Sequence, residues 1–344
     1  MKVFLVLTIF ALAAAVNPLE DDGRISGKNG WKIPQDDGSF LWMGIDVVLS
    51  LVAKLASQAV ILGLPNDSPV YLYLYTRKNQ YYAQQITADY DSISNSNFNA
   101  EHPTCFVIHG WRQSYESEMN GLIRDAWLSI RECNIFVADW PRARSDDYIS
   151  SFVAVPSTGK ELARIIDNLV NNHGMSLETT RVIGHSLGAH VAGYCGKNVS
   201  SGMIYEIVGL DPALPCFSYD KPNERLNEND AYYVKSIQTC GGKLGFEEPI
   251  GKDARYPNGG KEQPGCELDL TGRCSHERSC DYYAEAVQGN NFRSIRCNDY
   301  EDALNKNCSG PYSDDKMGVV NNYEFADAVF YVLVQSSPPY GDCS

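Results

Sequence analysis

Residues 184–188, Gly-His-Ser-Leu-Gly, stand between the apolar run 180–183 and a helix-like stretch, 187–195. A serine between two glycines at such a junction reads as strand, tight turn and helix, with Ser186 at the carboxyl end of a parallel strand. Glycine is needed on both sides, because a Cβ at Gly184 or Gly188 would press on the neighbouring strand or helix. The plainer reading of the pentapeptide is a glycine-rich turn with a solvated serine, so the rest of the chain has to decide.

The flanking sequence supplies the sheet that such a turn requires. Residues 105–108, 135–138 and 207–210 are short apolar runs of the length of buried parallel strands. Leu162, Ile165, Ile166 and Leu169 keep helical spacing between Ser157 and His173. Strand and helix alternate, which implies an α/β fold with a mainly parallel central sheet. Residues 70–76, 232–237 and 329–334 have the β-branched and tyrosine content of further strands.

The beginning of the chain is different. Met1 and Lys2 precede an apolar stretch, 3–15, that ends in Ala13, Ala14 and Ala15, the pattern of a signal peptide cleaved before Val16. It is shorter than the roughly 20 residues a spanning helix needs. Residues 16–67 form a separate N-terminal segment, polar and Gly- and Asp-rich up to Phe40 and then mostly apolar over 43–62. Asp46, Ser50, Lys54, Ser57 and Gln58 interrupt that stretch, which favours a helix packed on the main domain, or a prosegment, over a membrane span. One catalytic domain, 68–344, accounts for the remainder.

A secreted chain should use disulfides, and eleven cysteines fit that expectation. The odd number leaves at least one thiol unpaired, and Cys195, in the helix after the turn, is the candidate. Asn66, Asn198 and Asn307 open Asn-x-Ser sequons. A formal charge of −14 and a pI near 4.9 argue against nucleic acid and against anionic membranes as partners. Neutral or zwitterionic substrates are expected.

A serine hydroxyl needs a base to take its proton and a carboxylate to orient that base. On a parallel sheet with this turn, the acid and the histidine follow the serine in that order. Asp211 stands directly after the run 207–210, at the edge where such sheets build their sites. As a bare residue before Pro212 it would pass for a turn aspartate. His276 is the only histidine after Asp211; by itself, in a cysteine-rich loop, it would read as a surface residue. Two backbone donors complete the set: the N–H of Leu187, and that of Trp111 in the loop after 105–108. Gly110 permits the close turn there. The Trp111 indole either walls the acyl pocket or packs in the core. His185 and His190 are expected to shape the turn and its helix.

These segments, 108–111, 184–193, 209–213, 256–266 and 274–278, resemble the pancreatic lipase family, including secreted insect lipases and wasp-venom phospholipases A1. The resemblance implies an α/β-hydrolase fold with helices on both faces of the sheet. It gives Ser186, Asp211 and His276 the triad roles, and Trp111 and Leu187 the oxyanion hole. Members of the family carry a lid between two cysteines before the histidine, here Cys266 and Cys274. The seven residues 267–273 are too few for a useful amphipathic helix, and the loop 240–250 is also short. Within the family such short loops accompany phospholipases A1, whose open site admits a bulky polar head group.

The expected reaction is therefore hydrolysis of the sn-1 acyl ester of glycerophospholipids at a membrane or micelle surface. A lipase for neutral glycerides or galactolipids is the alternative, and a non-catalytic yolk-type storage protein is the alternative of another class. The resemblance further implies Cys266–Cys274 and Cys297–Cys308 disulfides, no cofactor, no colipase and a monomer. Arg225, Asn227 and Asp230 stand where some relatives bind calcium. Asn227 and Pro222 replace the carboxylates expected there, so no metal is expected.

Overall fold

A computed structural model describes residues 23–61, 69–87, 90–289, 292–315, 317–318 and 326–341. The expected signal peptide, the Asn66 sequon and Cys343 lie outside these residues. The chain opens with strands β1 (Gly30–Pro34) and β2 (Phe40–Gly44), an antiparallel hairpin. Helix α1 (Ile45–Ile61) follows. The anticipated apolar helix is thus present, but it starts only after the second strand of a hairpin that the polar sequence before Phe40 did not announce. Then come β3 (Tyr71–Tyr75), β4 (Gln84–Ile86) and the short α2 (Tyr90–Ser94).

The site-bearing part runs β5 (Thr104–Ile108), α3 (Glu118–Ile130), β6 (Asn134–Asp139), α4 (Tyr148–His173), β7 (Thr180–His185), α5 (Leu187–Asn198) and β8 (Glu206–Leu210). It continues through β9 (Tyr233–Ile237), β10 (Asp253–Pro257), α6 (Arg273–Val287), β11 (Ser294–Arg296), α7 (Tyr300–Leu304), β12 (Tyr312–Ser313) and β13 (Ala328–Val332). Helix α4 begins at Tyr148, well before Ser157. The Asp147 carboxylate caps it by accepting the Ile149 and Ser150 N–H groups, and Pro156 is accommodated inside it.

The large sheet has the order β12-β11-β13-β10-β9-β8-β7-β5-β6-β3-β4. Pairing is parallel from β13 across to β6 and antiparallel at both edges. Its central strands are apolar on both sides, as a sheet covered on two faces must be. Phe106 and Ile108 of β5 join the core that also holds Leu162 and Ile166 of α4 and Val191 of α5. Cys105 and Val107 join the opposite core, with Ile123 and Trp127 of α3 and Tyr282 and Tyr283 of α6. Helices therefore cover both faces, and the fold is that of an α/β-hydrolase. Among the described residues, no helix is long and apolar enough to cross a membrane.

Candidate active site

The turn after β7 is built by close backbone approach. A Cβ on Gly184 would lie 2.2 Å from the Gly188 carbonyl oxygen, and one on Gly188 would lie 2.3 Å from that of Ile108. Neither neighbour is a side chain that can swing away. Ser186 itself takes φ 57° and ψ −123° as it caps α5, a conformation that costs of order 1–3 kcal/mol and that the surrounding packing must impose. The Ser186 N–H donates to the Leu210 carbonyl at 3.0 Å and its own carbonyl accepts from the Ala213 N–H at 3.3 Å. The nucleophile candidate is thus stitched to the strand that carries Asp211.

Asp211 leaves β8 with φ 41° and is fully buried. Its Oδ1 accepts the N–H groups of Thr239 (2.7 Å) and Cys240 (3.0 Å). Its Oδ2 accepts from His276 Nδ1 at 2.5 Å. Gly245 packs on the carboxylate so closely that a Cβ there would lie 2.4 Å from Oδ1. His276 sits in the first turn of α6, not in a loop, because the helix begins at Arg273 immediately after Gly272. With Nδ1 committed to Asp211, Nε2 is the ring nitrogen left to exchange a proton. The His185 ring lies 4.4 Å from that of His276, and its Nε2 donates to the His276 carbonyl at 3.2 Å. Burial pushes the His185 pKa well below its usual value, so this neighbour adds no positive charge.

His190 is likewise structural. It bridges the Ala213 carbonyl (2.8 Å) and the Leu226 N–H (3.0 Å), and burial lowers its pKa to about 3.

The loop after β5 brings in the backbone donors. Gly110 approaches the serine so nearly that an added Cβ would be 2.8 Å from Ser186 Cβ. Gln113 Oε1 takes the Gly110 N–H (2.8 Å) and the Ala143 carbonyl takes that of Arg112 (2.7 Å). The Trp111 N–H between them has no acceptor among the described residues. Leu187 opens α5, so its N–H has no intrahelical acceptor. The Trp111 indole does both things considered for it: it lines the cleft and packs edge-on against Tyr148 at 5.4 Å, with its N–H on the Ser145 carbonyl (2.7 Å). Beneath the loop lies a network the sequence reading missed. Buried His109 bonds Asp139 (2.9 Å), and Asp139 also accepts from Arg144 (2.7 Å).

Ser186, His276, His185 and Trp111 share a cleft of about 550 Å³. One wall is the disulfide loop, where Cys266 and Cys274 are bonded as the resemblance implied. The loop contains no helix before Arg273, and Leu268 and Leu270 are 98% and 87% exposed. Another wall, unforeseen, is the N-terminal hairpin, through Pro34, Asp36 and Phe40. The pair Asp36-Asp37 ahead of Gly38 (φ 83°) is a turn signal that could have revealed it.

Cys297–Cys308 is the second disulfide. Among the described residues Cys195 is unpaired, as are Cys105, Cys133, Cys216, Cys240 and Cys280. More thiols are free among the described residues than an oxidising compartment led us to expect, and all six are buried as small apolar side chains, Cys105, Cys195 and Cys280 on a strand or helix and the others in connecting segments. Arg225, Asn227 and Asp230 do come together, but they do not fit a calcium ion. The Lys197 ammonium already bonds Asp230 Oδ2 (2.5 Å) and the Arg225 carbonyl (2.7 Å), two oxygens such an ion would use.

A largely parallel sheet, helices on both faces and a Gly-x-Ser-x-Gly turn between strand and helix define the class: this is an α/β-hydrolase. Within that class the chain belongs to the Lipase family, whose model matches residues 57–340. Pancreatic triacylglycerol lipase of Sus scrofa is 31% identical over 301 residues, 78% of this chain and 66% of that one. Lipase member H-A of Xenopus laevis is 33% identical over 284 residues, 78% of this chain and 60% of that one. Lipase member H of Oryctolagus cuniculus is 34% identical over 265 residues, 74% and 57% respectively. The chain thus spans just under two thirds or less of the length of these relatives.

Proposed function

We propose that this protein is a secreted, monomeric serine carboxylester hydrolase acting on lipids, and that it is a phospholipase A1. The Asp211–His276 bond in the cleft that holds Ser186 carries the hydrolase reading. His276 Nε2 takes the Ser186 hydroxyl proton as Oγ attacks the ester carbonyl. The N–H groups of Trp111 and Leu187 hold the resulting oxyanion. Collapse breaks the acyl–oxygen bond, the leaving alcohol takes the proton from His276, and the acyl group stays on Ser186. Water then repeats the sequence, returning free serine and a fatty acid. Asp211 orients the ring and steadies the imidazolium through Nδ1.

The phospholipase reading rests on the disulfide loop, which has too few residues to fold a helix over the cleft, so a bulky head group is not shut out. The neutral-lipid reading is favoured by the relative named for triacylglycerol and by the two exposed leucines, Leu268 and Leu270. Purified protein and Ser186→Ala are compared on phosphatidylcholine and on triolein. Serine-dependent release of the sn-1 fatty acid from phosphatidylcholine is expected. Serine-dependent release from triolein alone overturns the phospholipase assignment, and labelling of Ser186 by an organophosphonate counts against a storage role.

A further inference from the structure

The β1–β2 hairpin touches three of the segments that carry the site. At its tip, a Cβ on Gly38 would lie 2.9 Å from Thr271 Cγ2, in the disulfide loop ahead of His276. Beside the tip, the Asp36 carboxylate pairs at 3.5 Å with the guanidinium of Arg112, the residue after Trp111. At its root, the Trp31 indole donates to the Phe217 carbonyl at 2.8 Å, in the segment that follows Asp211. Trp31 and Ile33 are buried in the main core. A hairpin tied at root and tip is a fixed wall rather than a loose arm.

Its inner surface suits a hydrocarbon chain. Pro34 pairs with Phe40 across the two strands, and both side chains line the cleft with Trp111 and Leu244. Asp36 and Asp37, in the turn, also border the cleft, but both are exposed, whereas Pro34 is buried and Phe40 half-buried. The disulfide loop does not supply such a surface, since Leu268 and Leu270 project into solvent.

We propose that the β1–β2 hairpin is the roof of the acyl-binding cleft and that Phe40 is the residue that sets which acyl chains reach Ser186. The proposal rests on Ser186 being the nucleophile. Phe40 is only half-buried, so its ring bounds the cleft without being needed to fill the core. Truncation should widen the cleft and enlargement should narrow it.

The full chain is assayed on p-nitrophenyl esters from acetate to laurate, as wild type, Phe40→Ala and Phe40→Trp. The laurate-to-acetate ratio of kcat/KM is expected to rise about tenfold in Phe40→Ala and to fall about tenfold in Phe40→Trp, the low end of what one methylene is worth in a hydrophobic pocket. The urea unfolding midpoint of each variant, measured beside the kinetics, reports that it is folded. An unchanged ratio in both variants overturns the roof. Loss of acetate hydrolysis in both assigns Phe40 to the fold and overturns it too. Acetate hydrolysis that survives Ser186→Ala overturns the catalytic reading beneath it, which a ratio shift alone would leave standing.

Discussion

The turn around Ser186 and the loop between Cys266 and Cys274 face the same cleft, yet they are built by opposite means. The turn is held by backbone against backbone, with glycines at contacts where no β-carbon fits. The loop is closed by one covalent bond and a few hydrogen bonds, and its two leucines stand in solvent. On the proposed reading, the chain fixes position where chemistry would occur and leaves side chains unpacked where lipid would arrive. The two regions should therefore fail differently, in rate or folding on one side and in handling of aggregated lipid on the other.

The largest effect is expected at the nucleophile. Ser186→Ala should lower kcat by about 10⁶ with the fold intact, and Asp211→Asn by about 10⁴, measured on a soluble ester. Residual turnover near wild type in either variant would break the contrast at its root. Gly188→Ala should destabilise the protein by about 3 kcal/mol or more, since the new methyl meets the Ile108 carbonyl and cannot displace it. A urea midpoint equal to that of wild type would show the turn to be softer than its contacts indicate.

At the far end of α5, Lys197→Met leaves the Asp230 carboxylate buried without its ammonium and should cost about 3 kcal/mol, read from the same unfolding curves. Added calcium should not restore that loss, because the Asn227 amide and Pro222 offer no further carboxylate. Recovery with millimolar calcium would revive the metal site.

The loop should behave in the other way. Leu268→Ser with Leu270→Ser should move stability by less than about 0.5 kcal/mol, while hydrolysis of lipid dispersions falls several-fold and that of a soluble ester does not. Equal losses on both substrates would erase the distinction between the regions. The smallest effect concerns pH. Against the upward push of burial, hydrogen bonds from Thr271 and from the Cys274 N–H hold the Asp269 carboxyl below its usual value. A carboxyl lowered in the folded state stabilises the loop above its unfolded value of about 4, and that contribution is lost as pH falls through the folded one. Amide exchange in residues 267–273, corrected for intrinsic rates, should quicken on going from neutral pH to about pH 3. Loop protection that is unchanged by acid would show that the disulfide alone orders it.

Much of the rigid region could be read before any coordinates, because backbone-limited packing forces particular residue types into the sequence. Gly184, Gly188, Asp211 and the apolar runs of β5, β6, β7 and β8 are such residues. Strand β10 left no comparable trace. All five of its positions are buried, but Asp253 and Arg255 are among them and neutralise one another inside the protein, with Lys235 beside Asp253 and Glu206. Apolar periodicity cannot mark a strand whose charges are paired internally. The same holds for α6, whose charged face obscured that His276 stands on a helix. The N-terminal hairpin was hidden for another reason: the buried side chains of its first strand, Trp31, Ile33 and Pro34, are set in otherwise polar sequence, and its second, Phe40–Gly44, runs straight into the apolar stretch of α1.

The pairing of β7 with β8 places Gly184 opposite Gly209 and His185 opposite Leu210. Ser186 and Asp211 are the next step along the same ladder, so their spacing is inherited from two adjacent strands about 4.8 Å apart rather than from either side chain. A single residue inserted into either strand would turn the residues that follow it in that strand to the other face of the sheet relative to its neighbour. No identity in the site would have changed, and its parts would no longer meet. Insertions and deletions within 180–185 or 206–210 should therefore be far less tolerated than substitutions there, although every residue proposed to act in the chemistry lies outside both strands.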